Sequence, residues 1–184
     1  MKPSVQDDVT TLAYLGWVLQ NAGFETHLIA ANELANQAFE QLLVHYGTDA
    51  QGRELVIRLL FMEELVQSYQ QESGQSLPAS YGTHLQFLIN FATPGLDGRQ
   101  PDLDRLLATL NRLSPLGLFG THQQDGLFYR YTLVLNRKEP DPRLIAEIIE
   151  STGFIAERFM PAFDRLGAGE PVQNILASLE PKGS

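Results

Sequence analysis

Four histidines, His27, His45, His84 and His122, are the side chains best suited to move protons or hold a metal near neutral pH. No two of them stand four residues apart, as a helix would need to aim both at one ion, and no His-Glu-x-x-His occurs. His122 precedes Asp125 in a short loop and Glu63-Glu64 follow an apolar run, so surface histidines are the simpler reading. There is no cysteine, which removes thiolate nucleophiles, disulfides, iron–sulfur clusters and sulfur-ligated zinc. The serines lack a Gly-x-Ser-x-Gly elbow, and Ser114-Pro115 fits a helix end. Gly117-Leu118-Phe119-Gly120 leads into a strand pattern rather than a helix, and Gly167-Ala168-Gly169 has no lysine after it, so both read as turns rather than phosphate loops. Asp102 and Asp104 suit the positive end of a helix better than an acid–base pair. The chemistry on offer is that of a non-enzyme with no metal and no cofactor.

The chain that carries these groups has 184 residues, 43% of them hydrophobic and 19% charged, and a formal net charge of −9. That suffices for one core, and a single domain over 1–166 with a short helix and tail at 167–184 is expected. Residues 1–80 hold ten acids and three bases, whereas residues 81–184 hold twelve and ten. The acidity is a property of the amino-terminal half, where it would draw a basic partner. It argues against a nucleic-acid binder, which needs clustered Lys and Arg to displace counterions. The first residues, Met1-Lys2-Pro3-Ser4, do not open a signal peptide, and the longest apolar run, 55–62, is broken by Arg58 and too short to span a bilayer. A cytoplasmic protein without membrane contact is expected.

Hydrophobic spacing predicts a helix over 6–22, with Val9, Leu12, Ala13, Gly16 and Leu19 on one face and Gly23 as its cap. Tyr14 and Trp17 would add apolar area on its flanks. Residues 24–46 admit two readings. Leu34, Ala35, Ala38, Phe39, Leu42 and Leu43 match a helical period with Asn32 as cap, whereas the β-rich runs around the loop 47–52 signal a hairpin. Strands at 25–31, 38–46 and 53–62 are the favoured reading. A polar insertion at 63–83 precedes a strand at 85–91, whose Leu85, Phe87, Ile89 and Phe91 share a face. Asp102 is the expected cap of a helix striped by Leu103, Leu106, Leu107, Leu110 and Leu113. Strands at 116–122 and 127–135 flank Asp125-Gly126, a hairpin signal. Pro142 opens a long helix with Leu144, Ile145, Ile148, Ile149, Thr152, Ile155, Ala156, Phe159, Met160 and Phe163 turned to the sheet, and Pro161 predicts a kink or restart near its end. A final short helix is expected near 172–179.

This pattern gives an α+β fold in which long helices pack on one face of an antiparallel sheet. The opposite face then collects Arg58, Gln86, Asn90, Arg130 and Thr132 beside Leu60, Met62, Leu88 and Val134. Polar groups among uncovered aliphatics suit a protein-binding surface as well as an ordinary solvated face.

Leu110-Asn111 before a strand, Pro115-Leu116-Gly117, the turn at Asp125-Gly126, the strand Leu127-Phe128-Tyr129-Arg130-Tyr131 and the long helix after Pro142 follow one another in a recognisable order. With three strands between the first two helices, and one more before the middle helix, the chain resembles the type III secretion chaperone-like superfamily. It looks most like the sensory-transduction-regulator-like branch and related cyanobacterial proteins of unknown function. The resemblance covers 85–166 well and 6–62 loosely, and the polar insertion at 63–83 and the tail at 167–184 depart from it. What it implies is a secretion chaperone-like fold and a homodimer that holds another protein or peptide without ATP, burying a partner segment against sheet and helix edge. The alternative is a small-ligand sensor or enzyme with a pocket between the sheet and the last long helix, using Arg58, Arg130 and one histidine.

Overall fold

A computed structural model describes residues 11–31, 33, 39–63, 83–122, 126–135 and 140–179. Among them are four helices, α1 (Thr11–Asn21), α2 (Gln100–Leu113), α3 (Pro142–Gly167) and α4 (Val172–Leu179). Six strands join them: β1 (Glu25–Ile29), β2 (Gln41–Thr48), β3 (Glu54–Phe61), β4 (Thr83–Phe91), β5 (Leu118–His122) and β6 (Gly126–Leu135). The strands form one antiparallel sheet in the order β1-β2-β3-β4-β6-β5. The fold is α+β, as the hydrophobic pattern requires. The chain divides into two compact units, residues 1–87 with 132–150, and residues 88–131 with 151–184.

In the first unit, α1 lies on β1 and β2. Leu12, Leu15 and Leu19 are buried at four-residue and near four-residue spacing, and Gly16 lets Leu42 approach to within ordinary contact of the helix backbone. Tyr14 and Trp17 stack with centroids 6.4 Å apart and stay 36% and 38% exposed, so they flank the helix without entering the core. The helix closes where expected: Gly23 takes φ +96°, and its neighbour Phe24 donates its N–H to the Leu19 carbonyl. Residues 25–29 and 41–48 are strands, paired so that Thr26 faces Val44 and Leu28 faces Leu42. β-Branched and aromatic residues in 42–46, with a partner strand on each side, favour extension over the helical period of the same residues. Of the rival helix, residues 32 and 34–38 lie outside the described residues, as does nearly all of the polar insertion, 64–82. Leu55, Ile57 and Leu59 on β3 and Leu85 and Phe87 on β4 complete a core in which each buried large side chain contributes about 1.5–3 kcal/mol.

Asp49 organises the β2–β3 turn. Its carboxylate accepts the backbone N–H of Gln51 and of Arg53, both at 2.9 Å, and the Arg53 Nε at 2.6 Å. Burial by itself would raise its pKa, but the Arg53 and Gln51 hydrogen bonds and the Arg53 charge outweigh it and hold the carboxyl below the usual range.

In the second unit, α3 packs on the sheet through aromatic rings. Phe119 of β5 meets Phe91 of β4 at 6.4 Å, Tyr129 of β6 at 4.7 Å, and Phe159 and Phe163 of α3 at 6.0 and 5.6 Å. Leu103, Leu106 and Leu110 form the buried stripe of α2, and Val172 and Ile175 that of α4, which packs on α2. Gly95 and Gly167 mark a backbone crossing: a Cβ on Gly95 would collide with the Gly167 carbonyl, and one on Gly167 with the Pro94 carbonyl. Arg99 locks the crossing by donating to the carbonyls of Leu166 and of Glu170, the latter at 3.1 Å, and to Asp102 Oδ2 at 3.0 Å.

Two local expectations change. Asp102 does not cap α2. The helix begins at Gln100 with Arg99 in the cap position and no side-chain cap bond, because Pro101 in the first turn needs no amide partner. Asp102 sits inside that turn as the Arg99 partner. Nor does Pro161 restart α3, which runs unbroken to Gly167. Pro161 and Glu157, whose carbonyl loses a donor, are both exposed, so the unpaired carbonyl is not sealed in the core. Elsewhere the expected stripe of α3 is buried except Leu144, which is 40% exposed.

Asp49→Ala is expected to destabilise the protein by about 2 kcal/mol in urea unfolding at pH 7, since it removes hydrogen bonds to a charged group. The carboxylate's contribution is complete above its unfolded pKa near 4 and fades as pH falls through the lower folded value, so the gap between wild type and variant closes in strong acid. A gap that widens on acidification would refute this.

Candidate functional site

The expected outer sheet face divides between the two units. Arg58, Leu60, Met62, Gln86 and Thr132 belong to the first, and Leu88, Asn90 and Arg130 to the second. On β3 and β4, Arg58, Leu60, Gln86, Leu88 and Asn90 each sit between buried neighbours, whereas Met62 lies past the end of β3 and Thr132 between half-buried Tyr131 and Leu133. Asn90, Arg130 and Thr132 are exposed, and Arg58, Met62 and Leu88 are half-buried. Leu60 and Gln86, however, are only 4% and 7% exposed. They lie on the inner strands β3 and β4 and offer little surface to a partner. Arg58 stands opposite Leu43, which stands opposite His27, so the row across β1, β2 and β3 holds a single permanent charge. Arg130 lies over the Phe128 ring at 5.6 Å, and Phe128 covers Gly120, where any Cβ would strike the ring.

Among the described residues, no three His, Asp or Glu side chains converge as a metal site would require. Glu63 accepts the His84 backbone N–H at 2.6 Å, with His84 Nδ1 3.6 Å away, which ties the end of β3 to the start of β4.

The second unit contains an open cleft of about 340 Å³. One wall is the end of α2 and the connector after it, Leu113, Pro115 and Leu116; the other is the middle of α3, Ser151, Phe154, Ile155, Arg158 and Phe159. The connector is held from three sides. Ser114 N–H donates to the Leu110 carbonyl at 2.8 Å, and the hydroxyls of Ser114 and Tyr129 both donate to the Leu116 carbonyl. Gly117, at φ +63°, passes so close to Tyr129 and the Arg130 carbonyl that no side chain fits there. Asn111 then clamps β5: its Nδ2 donates to the Phe119 carbonyl at 3.0 Å and its Oδ1 accepts the Phe119 N–H at 2.7 Å. Both main-chain groups of an edge-strand residue are thus satisfied by one amide. The opposite wall is fixed because Phe159 stands edge-on to Phe119.

Phe154 rises at the rim of this cleft, 60% exposed. Its neighbour one turn on, Arg158, is also exposed, and among the described residues it has no carboxylate partner. Such a cleft can bury an apolar side chain and hold an anion at its edge. It does not use Arg58, Arg130 or a histidine, the groups expected to line a pocket between sheet and helix. Leu113, Ile155 and Phe159 belong to the apolar stripes of α2 and α3, whereas Phe154 and Arg158 stand outside them. The available signal was a phenylalanine on the polar side of α3, out of phase with the buried stripe and bracketed by Glu150 and Arg158.

Burial raises the pKa of Tyr129 above its usual value, aided by Tyr131 and only partly countered by the hydrogen bond with Ser114. Tyr129→Phe is expected to cost about 1 kcal/mol in thermal or urea unfolding, through loss of the bond that fixes Leu116. The wild-type contribution is complete below about pH 10 and is lost as pH climbs through the raised folded value. An unchanged stability with an ordinary tyrosine titration would refute that role.

Comparison with known protein families finds a match. The family model YbjN, described as "Putative bacterial sensory transduction regulator", matches residues 69–165. The matched segment contains β4, α2, β5, β6 and all but the end of α3, and with them every residue lining the cleft. Among curated proteins, none matches the chain. No helix among the described residues is long and apolar enough to cross a membrane.

Proposed function

Because the chain belongs to the YbjN family, we propose that it is a non-enzymatic regulator that works by holding another polypeptide in the cleft between α2 and α3. One observation carries this reading: a rigid apolar cleft inside the family-matched segment, with Phe154 60% exposed at its rim. A large aromatic left in water beside such a cleft marks an interaction site rather than an ordinary surface. In this reading the protein is a chaperone-like adaptor acting in the cytoplasm, which its lack of cysteine suits, and it is a homodimer, as its resemblance to the secretion chaperone-like superfamily implies. A small-ligand sensor is the second reading, favoured by the cleft volume of about 340 Å³, which falls within the range of about 300–1,000 Å³ for ligand sites.

Replacement of Phe154 by the photo-crosslinker p-benzoylphenylalanine is expected to trap a distinct protein in the source cell, while the same group at exposed Gln51 is not. Phe154→Ala is expected to lower retention of that protein at least tenfold and to change stability by less than about 0.5 kcal/mol, as befits an exposed position. Equal crosslinking at both positions, or full retention by Phe154→Ala, would overturn the reading. A bound small molecule in native mass spectrometry, with no trapped protein, would replace it with the sensor.

A further inference from the structure

We propose, building on the polypeptide-binding reading above, that the segment received by the cleft carries a large apolar side chain beside a carboxylate, and that Arg158 selects it by charge. The cleft walls are carbon-rich, and only Ser151 and Arg158 bring polar groups to the lining. Arg158 is an arginine without an assigned partner in a chain that holds 22 acids against 13 bases. Its helical neighbours at three and four residues are Phe154, Ile155, Pro161 and Ala162, none of them acidic. Glu157 is adjacent in sequence and therefore points around the helix.

Other arginines of this unit are partly spent within the fold and partly, like exposed Arg105, left in water. Arg99 is spent on Asp102 and two carbonyls, Arg165 on Glu170 at 2.5 Å and on Ser178, and Arg130 on the Phe128 ring. Arg112, also exposed and without an assigned partner, directly precedes the lining residue Leu113. Among the lining residues, Arg158 carries the only charge. Guanidinium groups pair best with carboxylates, which they grip through two parallel N–H bonds. Phe154 and Arg158 lie one helical turn apart, so the apolar anchor and the carboxylate of the incoming segment should be about 6 Å apart. The cleft is open rather than enclosed, so a bound segment would bury one or two side chains and run on into solvent, whereas a small acid there would stay half in water. The acidic amino-terminal half would attract the opposite kind of partner, so the family-matched segment and the rest of the chain differ in what they recruit.

The test is to pan a random dodecapeptide phage library on the full-length protein, on Arg158→Glu and on Phe154→Ala. Wild type is expected to enrich peptides with Leu, Phe or Trp next to Asp or Glu, and Arg158→Glu to enrich the same apolar residues next to Lys or Arg. In fluorescence anisotropy, the best wild-type peptide should bind at least tenfold more weakly to Arg158→Glu and to Phe154→Ala, with the circular dichroism of both variants unchanged. No enrichment on wild type, enrichment without acidic residues, or equal binding to Arg158→Glu would each overturn the inference. If the protein crosslinked at position 154 is still retained by Arg158→Glu, the adaptor reading stands and the charge selection falls; loss of both disposes of both.

Discussion

Phe119 is the residue on which the second unit depends. Its ring touches four others, from β4, β6 and α3, and its main-chain N–H and carbonyl are both taken by Asn111 of α2. One position on a five-residue edge strand therefore ties together two further strands and two helices. Aromatic pairs of this kind add about 0.5–1.5 kcal/mol each beyond the area they bury. The same contacts set the walls of the cleft, because Phe159 is held by Phe119 and the connector at Leu116 is held by Tyr129, which packs on the same ring. Core and site are one construction.

Rigidity on one side contrasts with exposure on the other. Binding surfaces gain affinity when little has to be ordered on association, and every wall residue of the cleft belongs to a helix or to a connector fixed by hydrogen bonds. The two residues that face outward, Phe154 and Arg158, are the ones whose exposure the fold does not need. Phe154 could be polar without loss to the core, and Arg158 forms no ion pair among the described residues. An apolar ring kept in water and a charge kept without a partner are features that stability alone does not explain.

Much of this architecture could be read from the residues. Strict alternation in 85–91, Asp125-Gly126 between two β-rich runs and the long stripe after Pro142 each report a local period, and local periods survive folding. Gly23 declared the end of α1 because few other residues accept its positive φ. What could not be read depended on partners distant in sequence. Leu60 and Gln86 are buried although the alternation of their own segments turns them away from the core, and no local period reports that. Asp102 lost the cap position to a helix start set by Pro101 and by an arginine anchored on the far end of α3. The cleft exists only because Tyr129 reaches back to Leu116, thirteen residues earlier. Asp-Asp spacing, glycine loops and histidines drew attention first, yet the residues that stand out in the fold are a phenylalanine and an arginine on the outward face of a helix.

The proposal that the protein works by recognition rests on the cleft inside its YbjN segment and on Phe154 exposed beside it. Hydrogen exchange on the full chain, with and without the polypeptide captured at position 154, measures this most directly. Protection gained at residues 113–118 and 151–159, with the sheet residues 86–90 and the first three strands unchanged, is the expected result. Protection gained on the sheet or in the first unit, with the cleft unaffected, would contradict it.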